Sequence, residues 1–316
     1  MNKLTKKIVL NILLIVAILA IIEFLSFLII FCSISKGFFF ENKYRDVQNW
    51  FSVKNMRMAE DYGTFRPASI PDNPSKRPIV ILGCSYAYGT TLSDDETFSA
   101  QLSKYTNRSV YNLALQNMGT ASALYLLEKP DIINKIPDAE YFIYLFIYDH
   151  VRRNYLNMPN VVYNYFGANY KLDKNGRLYF PKISKQKMFL ESFYTNRLIQ
   201  NFYANGKTSS GDLSLFKAIL AQMKTVIDEK YPNSKLVLLV YDDEPEFADD
   251  GSLNLADDER LTKFCDEIGI KAVYVKQLPC GEDIVRRKYI VSDGWHPSKE
   301  AWQKIVPELS ELLNLR

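Results

Sequence analysis

The chain has 316 residues, and its 39 Lys plus Arg against 36 Asp plus Glu leave a formal charge of only +3. That balance gives no electrostatic case for nucleic acid, which calls for a dense cationic surface. No zinc-type Cys/His cluster, Walker loop or internal repeat is present, so no cofactor is expected. Apolar residues reach 47 %, enough for a real core, and the 21 Tyr and 19 Phe make the chain unusually aromatic.

The first element is an apolar run from Ile8 to about Phe31. As a helix it would be about 36 Å long at ~1.5 Å per residue, enough to cross a bilayer. Glu23 costs about 2–3 kcal/mol in such a span, less than the surrounding Ile and Leu return. A cleaved signal peptide calls for a shorter apolar core and a small-x-small site, which Phe31-Cys32-Ser33 does not offer. A buried core helix should be amphipathic, and this run is apolar on every side. The reading is an uncleaved anchor at residues 1–32. Lys3, Lys6 and Lys7 precede the span with no acid among them, whereas Glu41 and Asp46 dilute Lys36, Lys43 and Arg45 after it. The bias favours a cytoplasmic N-terminus and an extracytoplasmic globular part.

Residues 33–76 read as a polar, aromatic connector. From residue 77 short apolar runs alternate with helical patterns. The runs are 78–83, 109–115, 141–147, 235–241 and 270–275, and the helices cover 96–105, 121–128, 213–230, 257–268 and 297–313. Such alternation implies βαβ units and a parallel sheet, so the fold class is a three-layer α/β/α sandwich. Residues 150–212 break the rhythm and read as an insertion rich in Tyr and Phe. Asp173-Lys174-Asn175-Gly176 marks a hairpin turn within it. It is either a lid or substrate wall, or a subdomain with its own aromatic core. The acidic stretches 242–244 and 249–251 lack calcium-loop spacing and read as solvated loops. Arg286-Arg287-Lys288 is a surface run or a steering patch for an anionic substrate. Cys265 and Cys280 read as unpaired thiols, although their separation does not exclude a disulfide.

Two segments carry chemistry. Gly83-Cys84-Ser85-Tyr86-Ala87-Tyr88-Gly89 follows the first strand, at the strand end where open α/β sheets bind ligands. Ser85 falls where the next helix begins, so its own N–H is available to an oxyanion. The plainer reading is a helix-capping serine. Asp293-Gly294-Trp295-His296-Pro297 precedes the last helix and holds one of only two histidines. An Asp three residues before a His can orient the imidazole as the base for a serine nucleophile. The alternative is a loop histidine capping the helix after Pro297.

Together these blocks resemble the SGNH, or GDSL-like, hydrolase family over about residues 78–315. That family reads Gly-Asp-Ser-x-x-x-Gly in its first block and Asp-x-x-His in its last. Here Cys84 replaces the Asp, as in a branch with Gly-Cys-Ser, and Ser93-Asp94-Asp95-Glu96-Thr97-Phe98 resembles the acidic stretch that follows. The resemblance implies a flavodoxin-like SGNH fold, with Ser85 as nucleophile, His296 as base and Asp293 as its orienter. Its oxyanion donors are a Gly after the second strand and an Asn after the third. Asn117 stands at the first place, with Gly119 two residues on, and Tyr148 stands at the second. His150, the other histidine, is either an oxyanion donor or substrate contact, or a partner of Asp149 or Arg152 that shapes the insertion.

The expected activity is ester hydrolysis or O-acyl transfer on an ester-bearing substrate, such as O-acetyl groups of an envelope glycan. The rivals are a lipid or small-ester esterase, and an inactive SGNH-fold binding protein. Substrate and oligomeric state are not legible.

Overall fold

The structure, a computed structural model, describes residues 3–35, 65–66, 68–74, 76–116, 118–154, 170–180, 210–241, 258–285, 288–292 and 294–316. The chain divides into two compact units. One comprises Met1–Asn55, Asn157–Asn164 and Lys182–Gly206; the other comprises Met56–Leu156, Tyr165–Pro181 and Lys207–Arg316. Most of the expected insertion, and the acidic stretches after residue 241, lie outside the described residues.

In the first unit, helix α1 (Lys3–Ser35) contains Thr5–Leu28, 24 residues of mean hydropathy 3.0, long and apolar enough to cross a membrane. Its large apolar side chains from Ile8 to Leu25 are exposed. A surface apolar on every side suits hydrocarbon better than water.

The second unit is built on five parallel strands. They are β1 (Ile79–Gly83), β2 (Val110–Asn112), β3 (Tyr141–Phe146), and two further strands, Lys235–Val240 and Lys271–Tyr274. A two-stranded antiparallel hairpin, β4 (Lys171–Leu172) and β5 (Leu178–Tyr179), comes between in sequence, so the last two sheet strands are β6 and β7. The sheet order is β2-β1-β3-β6-β7. Strands β1 and β3 are buried along their whole length, as expected of a sheet covered on both faces.

Helices α2 (Ser85–Tyr88), α3 (Phe98–Thr106) and α10 (Lys299–Leu313) pack on one face; α4 (Thr120–Leu127), α7 (Ser210–Lys230) and α8 (Asp258–Glu267) cover the other. Short helices α5 (Pro130–Ile133), α6 (Asp149–Arg153) and α9 (Gly281–Val285) lie in the connections. The chain moves outward from β1 to β2 through α3, then reverses through α4 to β3 and continues the same way to β7. The covering face switches at that reversal, as crossovers of one hand require. The result is the expected three-layer α/β/α sandwich.

The second strand is shorter than expected. Asn112 turns its side chain onto the backbone, its Oδ1 accepting from Ala114 N at 3.0 Å, and this local turn ends the ladder. The hairpin falls where the sequence puts it. Asp173 Oδ1 accepts from Asn175 N and Arg177 N, both at 2.8 Å. Its aromatic residues pack on the sheet unit: Phe180 stacks on Tyr125 of α4, and Tyr170 hydrogen-bonds the Glu128 carboxylate. Cys265 and Cys280 are free, and they belong to the cores on opposite faces of the sheet.

The stretch before β1 joins the sheet unit. Ser69 and Val110 form an antiparallel bridge on the outer edge of β2, each N–H 2.9 Å from the other's carbonyl. Arg108, almost wholly buried, donates to Leu315 O at 2.7 Å and pairs with Glu140 at 2.6 Å, fastening the chain end to the base of the sheet. Trp302 of α10 is fully buried, with Phe98 at 4.9 Å and Tyr241 at 5.6 Å between ring centres. Trp302→Ala should cost about 3–5 kcal/mol in a urea titration of the detergent-solubilised chain, the usual penalty for emptying an aromatic core site.

Candidate active site

Strand β1 ends at the point where the chain order reverses between β2 and β3. In open α/β sheets the crevice at this switch point, at the carboxyl ends of the strands, is the ligand site. Cys84 is extended and caps α2, whose first residue is Ser85. The short helix closes on itself: Tyr88 N donates to Cys84 O at 2.8 Å, and Gly89 N and Thr90 N donate to Ser85 O at 3.0 and 3.1 Å. Gly89 ends it at φ 79°, and a Cβ there would lie 2.7 Å from Thr97 Cγ2. The spacing of the Ser85 block thus ends in a position only glycine fills easily.

The second segment arrives from the far end of the chain. Ile290 and Pro297 form an antiparallel bridge, Val291 N donates to His296 O at 2.9 Å, and Ser298 N donates to Tyr289 O at 3.0 Å. These bonds close a small loop before α10. His296 Nε2 lies 2.8 Å from Ser85 Oγ, and the two residues are 6 % and 5 % exposed. With Nε2 unprotonated the serine hydroxyl donates to it, which is the geometry for removing the serine proton. The Tyr86 ring sits 5.2 Å from the imidazole and 5.3 Å from Tyr241, which in turn packs on Trp302. An aromatic chain therefore runs from the core of one face to the histidine. Trp295, beside it, is 57 % exposed. Asp293 lies outside the described residues.

The residues expected on the oxyanion side belong to the connections after β2 and β3. Asn117 lies outside the described residues. Gly119 caps α4 in an extended conformation. Tyr148 is 2 % exposed and meets Phe146 edge-on at 5.5 Å. His150 is fully buried in the α4/α7 core, its Nδ1 2.7 Å from Tyr144 Oη, between the Tyr144 and Phe146 rings. Asp149 pairs with Arg153 at 2.6 Å. Burial holds His150 well below the usual imidazole range; the Arg153 charge adds to this, and Asp149 opposes it. Burial likewise pushes the Cys84 thiol up, against the pull of Arg153 and the Ser85 hydroxyl.

No protein-family model and no curated protein matches the chain. Among solved structures it is similar to a protein described as a GDSL-like lipase from Parabacteroides merdae, with 12 % identity, a TM-score of 0.44, and coverage of 76 % of this chain and 96 % of that one. It is similar to a protein described as a G-D-S-L family lipolytic protein from Desulfitobacterium hafniense, with 12 % identity, a TM-score of 0.42, and coverage of 75 % and 99 %. It is also similar to an acetyl xylan esterase from Butyrivibrio proteoclasticus, with 11 % identity, a TM-score of 0.42, and coverage of 76 % and 65 %.

Two supporting residues escaped the sequence reading. Arg66, on the stretch read as connector, donates to three carbonyls at the exit of the serine turn: Tyr88 at 3.1 Å, Gly89 at 2.7 Å and Leu92 at 2.8 Å. It also pairs with Asp94 at 2.5 Å and lies over the Tyr88 ring at 4.8 Å. Asn112 Nδ2 donates to Ala87 O at 2.9 Å, holding the same helix from the β2 side. Neither has a sequence signature, because the groups they hold are main-chain carbonyls, which no side-chain motif announces.

Two outcomes follow for stability. Arg66→Ala should lower it by about 2 kcal/mol in chemical denaturation, and Lys should restore little, since an ammonium cannot span three carbonyls. His150 gives a pH effect with a defined sign. Its folded pKa is depressed, so below about pH 6.5 the unfolded chain takes up a proton that the folded chain refuses. This group's contribution is fully present above that pH and falls by about 1.4 kcal/mol per unit below it. His150→Gln should flatten the slope by one proton in urea titrations between pH 5 and 7.

Proposed function

We propose that the chain is an SGNH-type serine ester hydrolase or O-acyltransferase, held in a membrane by α1 with the sheet unit on the extracytoplasmic side. The observation that supports this best is the 2.8 Å contact between Ser85 Oγ and His296 Nε2 at the carboxyl edge of a parallel sheet. A capping serine and a capping histidine would have no reason to meet.

In this reading His296 Nε2 takes the hydroxyl proton as Ser85 Oγ bonds to the ester carbonyl carbon. The carbonyl π pair moves to its oxygen, which the Ser85 N–H at the start of α2 helps to hold. The oxyanion then collapses, the bond to the alcohol breaks, and His296 returns the proton to the departing oxygen. Water, or a glycan hydroxyl in a transferase, attacks the acyl-serine by the same steps. The role proposed for Asp293, three residues before the base, is to accept from the other imidazole nitrogen and fix its tautomer. An anchored domain outside the membrane meets envelope polysaccharide, so O-acetyl esters of such a glycan are the proposed substrate.

A fluorophosphonate probe should label wild-type Ser85, and Ser85→Ala should remove the label. His296→Ala should slow hydrolysis of p-nitrophenyl acetate by about 10⁴-fold or more. No labelling and no hydrolysis in the wild type would sink the enzyme reading. A C-terminal reporter active only in the cytoplasm would reverse the orientation.

A further inference from the structure

The acyl-enzyme reading calls for a second hydrogen-bond donor beside the Ser85 N–H. The fold surrounds one candidate in an uncommon way. Arg153, at the end of α6, is held by Asp149, to which its Nε donates at 2.6 Å. Its Nη1 donates to Met118 O at 3.1 Å. The Arg153 side chain is 9 % exposed and that of Asp149 16 %, so the pair is largely out of water. Gly119 makes the approach possible. A Cβ there would lie 2.7 Å from Arg153 Cβ and 3.3 Å from its carbonyl carbon, so helix and loop backbones touch directly.

The Met118 carbonyl and the Gly119 N–H belong to one peptide plane. In a trans peptide these two groups point in opposite directions, and no cis bond occurs among the described residues. A guanidinium on the carbonyl therefore fixes the direction of the N–H on the other side. It also polarises the amide, since chained hydrogen bonds strengthen one another in a low dielectric. The same loop runs along β1, because Leu115 N donates to Gly83 O at 3.3 Å, two residues before the serine. The Arg153 charge is also felt at Cys84, the residue adjoining the nucleophile.

We infer that Arg153, clamped by Asp149, is a positioning residue: by gripping the Met118 carbonyl it aims and strengthens the Gly119 N–H as the second oxyanion donor. This rests on the proposed ester chemistry and explains how the site works with Tyr148 where the family has Asn. No proton moves at Gly119; its N–H only donates a hydrogen bond to the carbonyl oxygen as that oxygen takes up the π pair and the Ser85 Oγ–C bond forms. Lys is a poor substitute, because a point charge cannot hold a carboxylate and a carbonyl in one fixed fork.

The test compares full-length wild type, Arg153→Lys and the double variant Asp149→Asn/Arg153→Gln, which leaves no lone carboxylate. Each is assayed for kcat and KM on p-nitrophenyl acetate, for oxo-over-thiono ester preference, and for its thermal midpoint. Sulfur accepts hydrogen bonds poorly, so the oxo preference reads the donors at the oxyanion, which a merely structural role would not move. In the double variant kcat should fall about 10- to 100-fold with KM within twofold, less than the loss of a whole donor. The oxo preference should shrink about tenfold. Arg153→Lys should lie between. Full kcat and oxo preference in the double variant, or a rise in KM alone, would overturn the inference. Should the double variant unfold, Arg153→Lys decides: unchanged kcat and oxo preference reject the role, and a loss in both supports it. A wild type that neither labels nor hydrolyses fails the ester reading itself, and this inference with it.

Discussion

A 2.8 Å hydrogen bond joins Ser85 and His296 across 211 positions of sequence, and the sheet unit is arranged so that it can form. The serine must leave the first strand at the one place where the sheet order reverses. The histidine must return on the last loop, beneath a helix packed against the same face. The Tyr86–Tyr241–Trp302 contacts tie that helix, the end of β6 and the serine turn into one packed line. Such a line resists small shifts because aromatic packing has few alternative arrangements at core density.

Arginines do much of the remaining positioning, and in each case they grip main chain. Arg108 takes Leu315 O, Arg77 takes Ala139 O, Arg66 takes three carbonyls after the serine, and Arg153 takes Met118 O. A parallel sheet with strands of three to six residues leaves many loop carbonyls at its ends. A planar fork of donors can satisfy several of these at once.

The sequence carries the sheet clearly because its strands are buried on both faces and read as continuous apolar runs. The 78–83 and 141–147 runs became β1 and β3 almost unaltered. The 109–115 run misled by length: Leu113, Ala114 and Leu115 are buried but belong to the loop, since burial alone does not distinguish a strand from a packed turn. The Ser85 and His296 blocks were legible because their spacing is local, within seven residues and five. The grip of Arg153 on Met118 O was not, because the two lie 35 residues apart and a main-chain carbonyl announces itself in no side-chain motif. His150 is open in the sequence between a crevice role and a structural one. Its place at the end of a strand suggested the crevice, but its side chain turns inward to Tyr144.

The bridge from Ser69 to the edge of β2, and the reach of Arg66 to the serine turn, have a practical side. They make the approach to β1 part of the machine rather than a tether. A soluble fragment designed to begin at the first strand would keep every motif residue and still lose the brace behind the Ser85 turn. The cut belongs upstream of Phe65, where the fragment keeps both the edge bridge and the arginine.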